Sequence, residues 1–409
     1  MCIRDSNTLL SSGDFSPSFD VMENNRMVLT TTQQDLTTTA STYVFLMWIS
    51  ESCAGDIANC TNSDNQFKYV GKSFSFNIKL ETATKTKKNL TRKTSAAGTI
   101  TTLYNNATKT PVTNNSITYQ YDTKNSLMKD VGGNIRYYGA SPNNYIYFNC
   151  SDYSNQSSST CETWRIIGVF DGKIKLIRGS QIGTYAWDNK DTTTGAENNY
   201  GKNDWTDARL MKLLNPGYES EATGGSLYYN SGSGNCYAWY SNATTTCDFT
   251  STGIKNDITR NLISDTTYYL GGHNSSSVYP NEIYEKERGT TVYSGRPTSW
   301  IGKIAIAYPS DYGYAADLGK CTKQLGSYND TTCTSNNWMN TIIAPNNGWL
   351  LTPSSGNERY VWRVYSPGDV YYNIYAYIAS GVAPVLYLGS ELSVKAGIGS
   401  SSDPYQISV

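Results

Sequence analysis

The chain of 409 residues is short of charge, nearly empty of histidine and without a long apolar run. Charged residues make up 16 % of it, against roughly 25 % in an ordinary globular protein. The formal net charge is -1. No excess of positive charge is available to hold nucleic acid or an anionic membrane surface. His273 is the only histidine, and no two cysteines stand at C-x₂₋₄-C spacing, which excludes the usual zinc ligand sets. Nucleophile-elbow, P-loop and EF-hand patterns are all missing. The longest apolar stretch, Tyr43 to Ile49, is strand-sized and far below the roughly 20 residues of a membrane span.

Asn, Ser, Thr, Gly and Tyr fill the place of the missing charge. Tyrosine alone contributes 34 residues, and aromatic residues reach 13 %. That content can bury a core, so a disordered chain is excluded. Tyr and Thr suit half-buried pleated sheet.

The cysteines carry the strongest pattern. Eight of the nine form local pairs: Cys53 with Cys60, Cys150 with Cys161, Cys236 with Cys247, and Cys321 with Cys333. Such spacing predicts loop-closing disulfides and an oxidising, extracellular or cell-surface location. Cys2 stands outside the scheme. It lies in M-C-I-R-D-S, which resembles a translated sequencing adapter. Residues 1–6 are therefore expected to be an artefact, with the true N-terminus and any leader or anchor cut away.

Val28 to Thr32, Thr42 to Ile49 and Lys72 to Leu80 read as strands, the last with Phe74, Phe76, Ile78 and Leu80 on one face. Residues 83–130 hold a small basic run amid Thr, Asn and Ser, and read as a linker. In 131–409 the segment Trp164 to Arg178 predicts a hairpin turning at Asp171-Gly172. Asp204 to Leu214 and about Ile254 to Leu262 read as helices, the second with Ile254, Ile258 and Leu262 as its stripe. Strands are expected again at Lys303–Tyr308, Val361–Tyr365, Val370–Tyr377 and Val382–Leu388. This order makes an α+β domain.

Two resemblances follow. Y-V-F-L-M-W-I-S-E with G-K-S-F-S-F-N-I is similar to the last strands of TasA/camelysin-type β-sandwich domains, which implies a partial β-sandwich over 7–82. W-R-I-I-G-V-F-D-G-K-I-K-L-I, N-D-W-T-D-A-R-L-M-K-L-L-N, I-A-Y-P-S-D-Y-G, N-N-G-W-L-L-T-P and G-V-A-P-V-L-Y-L together resemble gut-Firmicutes domains related to the sulfatase-modifying, formylglycine-generating fold. That resemblance implies a C-type-lectin-like domain over 131–409, with two helices packed on antiparallel strands. The enzymes of that fold use a close cysteine pair. Here Cys321 and Cys333 are farther apart and fit the disulfide series.

The expectation is a non-catalytic bacterial surface protein that binds a glycan, a peptide or another surface protein. A biofilm-matrix or pilus-like subunit, and a diverged formylglycine-generating-type enzyme, stay open as alternatives. The candidate ligand surface is Tyr371, Tyr372, Asn373 and Tyr375, a polar-aromatic stretch that continues to Tyr377 after the turn at Ser366-Pro367. No cofactor is expected. Asp188 to Asp191 reads as a turn, with calcium as the alternative.

Overall fold

The computed structural model describes residues 2–4, 22–23, 26–27, 44–46, 95–189, 200–239 and 245–409. The chain divides into two compact units, Met1–Lys93 and Thr94–Val409. In the first, Cys2–Arg4 pairs antiparallel with Val44–Leu46, and Met22–Glu23 with Arg26–Met27. The expected sandwich over 7–82 and the Cys53–Cys60 pair otherwise lie outside the described residues.

The second unit is mixed, with strands dominating and short helices between them. It begins with α1 (Ala96–Asn106), β1 (Thr110–Asn114), β2 (Ile117–Asp122), β3 (Leu127–Lys129) and β4 (Ile135–Tyr137). These elements correct the linker expected over 83–130, from residue 95 onward. Ser95 caps α1 by accepting from the Gly98 amide at 3.0 Å, and Ala96, Ala97, Ile100 and Tyr104 form its buried face. In β2, Tyr119 and Tyr121 alternate inward between exposed Thr118 and Gln120. The segment looks polar because its tyrosines carry the apolar surface.

Next come β5 (Tyr145–Phe148), β6 (Glu162–Phe170), β7 (Lys173–Arg178), α2 (Arg209–Leu214), α3 (Asp257–Leu262), α4 (Pro280–Glu287), β8 (Ile304–Ile306) and α5 (Pro309–Tyr314). After them lie α6 (Thr331–Thr334), α7 (Asn340–Ile343), β9 (Trp349–Pro353), β10 (Tyr360–Val364), β11 (Val370–Tyr375) and β12 (Pro384–Tyr387). The main sheet has nine strands in the order β8-β12-β7-β6-β4-β3-β2-β1, with β5 also on β6. Its pairs are antiparallel.

The β6–β7 hairpin is where the sequence placed it. Asp171 and Gly172 both take positive φ, 47° and 73°, as a type I′ turn requires. Residues 174–177 of β7 are all buried, so this central strand is covered on both faces.

Two helix expectations change. Asp204 to Leu214 is broken: a 3₁₀ turn at Trp205–Asp207 ends in extended Ala208, and α2 starts afresh. α3 buries Leu262 but leaves Ile258 half exposed, while Ile254 is buried ahead of the helix. The cap is Asn256, whose side chain takes the Thr259 amide.

Among the described residues three disulfides form: Cys150–Cys161, Cys236–Cys247 and Cys321–Cys333. The first closes the β5–β6 loop, the second joins Ser233–Cys236 to Thr245–Asp248, and the third ties the chain after α5 to α6. Each contributes about 2–3 kcal/mol in the loop-entropy account.

A charged cluster lies inside the main sheet's packing. The Asp311 carboxylate accepts from Arg136 Nη1 at 2.8 Å and from Lys175 Nζ at 2.5 Å, and Arg136 Nε reaches Asp130 at 2.5 Å. All four side chains are 0–1 % exposed. Burial pushes the Asp311 carboxyl up, but Lys175 and Arg136 outweigh it and hold it at about 2. Beside it, Glu287 accepts from the Ser310 amide and hydroxyl and from Arg288. Burial dominates there and raises Glu287 from 4.5 to about 7.

The folded state therefore keeps a proton on Glu287 that the unfolded chain has already released between 4.5 and about 7. Unfolding free energy should fall across that window as pH rises, by up to about 3 kcal/mol from this group. Denaturant titrations at about pH 5 and about pH 8 check it. Glu287→Gln should lose less stability between the two than the parent; equal losses would contradict the assignment.

Candidate functional site

The expected ligand stretch falls on β11, the outer strand of the three-stranded β9-β10-β11 sheet. A register shift splits it: Tyr375 lies opposite Tyr360 and Tyr371 opposite Arg363, three residues apart on β10, so Tyr371 and Tyr375 face opposite sides of the sheet. Tyr371 and Asn373 are exposed. Tyr372 is half-buried and packs against Trp362, at 6.2 Å between centroids. Tyr371 packs on Tyr365 at 5.2 Å.

Tyr375 is the member around which other rings gather. It lies opposite Tyr360 on β10, the two rings edge to face at 4.9 Å. Tyr377 follows at 5.7 Å from Tyr375. Tyr200 meets Tyr375 at 5.4 Å and Tyr377 at 5.5 Å, and Trp239 meets Tyr377 at 6.1 Å. The Arg359 guanidinium stands 5.3 Å from the Tyr200 centroid and pairs with Glu358 at 3.4 Å. Tyr200 and Trp239 are 48 % and 50 % exposed.

Backbone bonds fix this array. Ala376, between Tyr375 and Tyr377, is fully buried. Its amide donates to Arg359 O, and its carbonyl accepts from the Trp187 and Asp188 amides. Tyr375 and Tyr377 are thereby held on the same side of the chain. Gly201 has φ +84°, and a Cβ there would lie 2.4 Å from Asp188 O and 2.7 Å from Ala376 Cβ. Only glycine lets the chain bearing Tyr200 come this close. Sequence reasoning missed Tyr200 and Tyr360, which come from segments distant from β11.

Most of the other described tryptophans are core. Trp187, Trp205, Trp338, Trp349 and Trp362 are buried, and Trp205 packs against Trp187 at 5.1 Å and Trp300 at 6.1 Å.

Residues weighed for chemistry hold structural posts. Cys321 and Cys333 are bonded to each other. Asp188 accepts from the Lys202 and Arg209 amides, at 2.9 and 3.1 Å, and Asp191 lies outside the described residues. Asp204 caps the 3₁₀ turn, and Glu282 takes the Tyr279 amide at the start of α4. Among the described residues no cluster of three His, Cys, Asp or Glu side chains is placed to hold a metal ion. No helix there is long and apolar enough to cross a membrane. His273 stacks on Trp362 at 6.4 Å with 24° between planes, and its carbonyl takes the Trp362 indole N–H.

Comparison with protein-family models, with curated proteins and with solved structures returns no match. The functional reading rests on the chain itself.

Burial, with Lys286 adding to it, holds the His273 imidazole below its ordinary 6.5. One histidine per chain makes the assignment unambiguous. Proton NMR across the acid range should show a single imidazole titrating with a midpoint below 6.5; a midpoint at or above that value would contradict the packed environment.

Proposed function

We propose that this chain is a non-catalytic protein of the bacterial surface or extracellular space, which binds glycan through the rings of Tyr200, Trp239, Tyr360, Tyr375 and Tyr377. The carrying observation is the array itself: five contiguous rings, two of them about half exposed, on one continuous surface. A sugar ring has an apolar face of C–H groups and a rim of hydroxyls. Tyr and Trp match both, offering a flat apolar face and a polar edge. Arg359 and Glu358 supply hydrogen-bonding partners near the rings.

The extracellular setting is supported by three local disulfides, which persist where thiols are not kept reduced. The named fold in this reading is a C-type-lectin-like domain, in line with the antiparallel sheets and short helices. The non-catalytic part is supported by the bonded Cys321 and Cys333 and by the capping duties of the acidic side chains.

A central ring removed from such a surface typically costs 2 kcal/mol or more, roughly a thirtyfold loss. A glycan array probed with the parent, Trp239→Ala and Tyr375→Ser tests the reading. The parent should retain a defined set of glycans, and both variants should lose most of that signal while melting close to the parent. A parent that binds no glycan would overturn the proposal.

A further inference from the structure

A second feature lies on other elements. Arg165, in β6, is only 6 % exposed. Its Nε donates to Asn144 Oδ1 at 2.5 Å and its Nη2 to Pro142 O at 3.4 Å. The guanidinium lies 3.7 Å from the Tyr145 ring centroid and 4.8 Å from that of Trp338. Among the described residues no carboxylate reaches it. Its Nη1 makes no hydrogen bond there, and is not among the fully enclosed polar atoms left without a partner.

This is an unusual place for a charge. Taking an ion out of water without a counter-ion costs several kcal/mol. The buried Arg136 and Lys175 avoid that cost by sharing Asp311. Arg165 has only neutral oxygens and two aromatic faces. Those rings offer it a partial substitute for an anion.

Arg165 also lines a cleft of about 410 Å³, together with Arg178, Glu162, Thr163, Ser180 and Thr341. Arg178 and Glu162 pair at 3.0 Å and cancel. The cleft is thus left with one net positive charge, that of Arg165. Ser180 accepts from Arg178 Nη1 and keeps its own proton to donate. The volume suits one sugar unit, at the small end of ligand sites.

We propose that this cleft binds an oxyanion carried on a sugar, a carboxylate or a sulfate ester, with Arg165 Nη1 as its counter-charge and the Ser180 and Thr163 hydroxyls as further donors. Burial, opposed in part by Tyr145, pulls the Arg165 guanidinium down to about 10; a bound anion reverses that penalty. The site shares no residue with the aromatic array, and either can fail without the other.

Saturation-transfer NMR on the full chain tests it, with methyl glucuronide, methyl glucoside and glucose 6-sulfate as probes. The glucuronide, the sulfate ester or both should bind at least about tenfold more tightly than the neutral glucoside, about 1.4 kcal/mol. Whichever of the two binds more tightly identifies the anion. Arg165→Gln should abolish the preference without lowering the melting temperature of the ligand-free protein, since it removes an uncompensated buried charge. Thr341→Trp fills the cleft from an exposed position and should abolish binding with Arg165 intact, which keeps the test open if Arg165→Gln fails to fold. Equal binding of glucoside and both anionic probes, or anion binding undiminished in Thr341→Trp, would overturn the proposal.

Discussion

The Asp311 carboxylate, shared between Lys175 and Arg136, is the constraint on which the domain's arrangement depends. One oxygen faces the guanidinium of β4 and the other the ammonium of β7, while the Tyr308 amide bonds the second oxygen from the start of α5. Asp130 completes the charge balance on the far side of Arg136. The cluster holds two positive and two negative groups with almost no water contact. Removing one partner strands the others, at a typical cost of 3–5 kcal/mol. The N-terminal strands, the central hairpin and α5 are therefore committed to one mutual arrangement. Aromatic faces close the cluster: Phe170 and Tyr314 around Arg136, Tyr308 around Lys175.

This explains how a chain so poor in charge uses the charge it has. Several of its ionic side chains do structural duty inside. Local disulfides then pin connections between the antiparallel strands and short helices. The core is fixed by packing and a few ion pairs, so the connecting segments are free to carry exposed rings. Tyr375 and Tyr377 are oriented by buried Ala376, and Tyr200 approaches through Gly201. The array is built on backbone hydrogen bonds, so its geometry does not depend on the rings themselves.

Much of the fold was legible where local signals agree with the tertiary outcome. The β6–β7 hairpin has an Asp-Gly turn and apolar strands on both sides. The three described disulfides follow from spacing. Two kinds of feature were hidden. Residues 95–130 looked like a linker because Ile100, Tyr104, Tyr119 and Tyr121 are scattered among Thr and Asn, and tyrosine reads as half polar until its ring is seen to be buried. Asp204 to Leu214 looked like one helix because the periodicity runs through Ala208, where the backbone turns extended and α2 starts again. At the candidate site, β11 was found and Tyr375 belongs to the array, but a register shift that no local pattern announces turns Tyr371 to the opposite face. Tyr200, Trp239 and Tyr360 come from segments far apart in sequence, and no local pattern links them. The four buried charges were equally unreadable, since each looks like a surface residue until the sheet brings them together.

The central claim, that the exposed aromatic array takes glycan, is most directly tested through the light that Trp239 emits. Trp239 is half exposed, whereas Trp164, Trp187, Trp205, Trp338, Trp349 and Trp362 are enclosed. Trp300 is half-buried, so the Trp239 emission is read as the acrylamide-quenched part of the parent signal that Trp239→Phe removes. Adding mucin oligosaccharides should shield that emission in a concentration-dependent and saturable way. Quenching that stays the same at every glycan concentration would contradict the account.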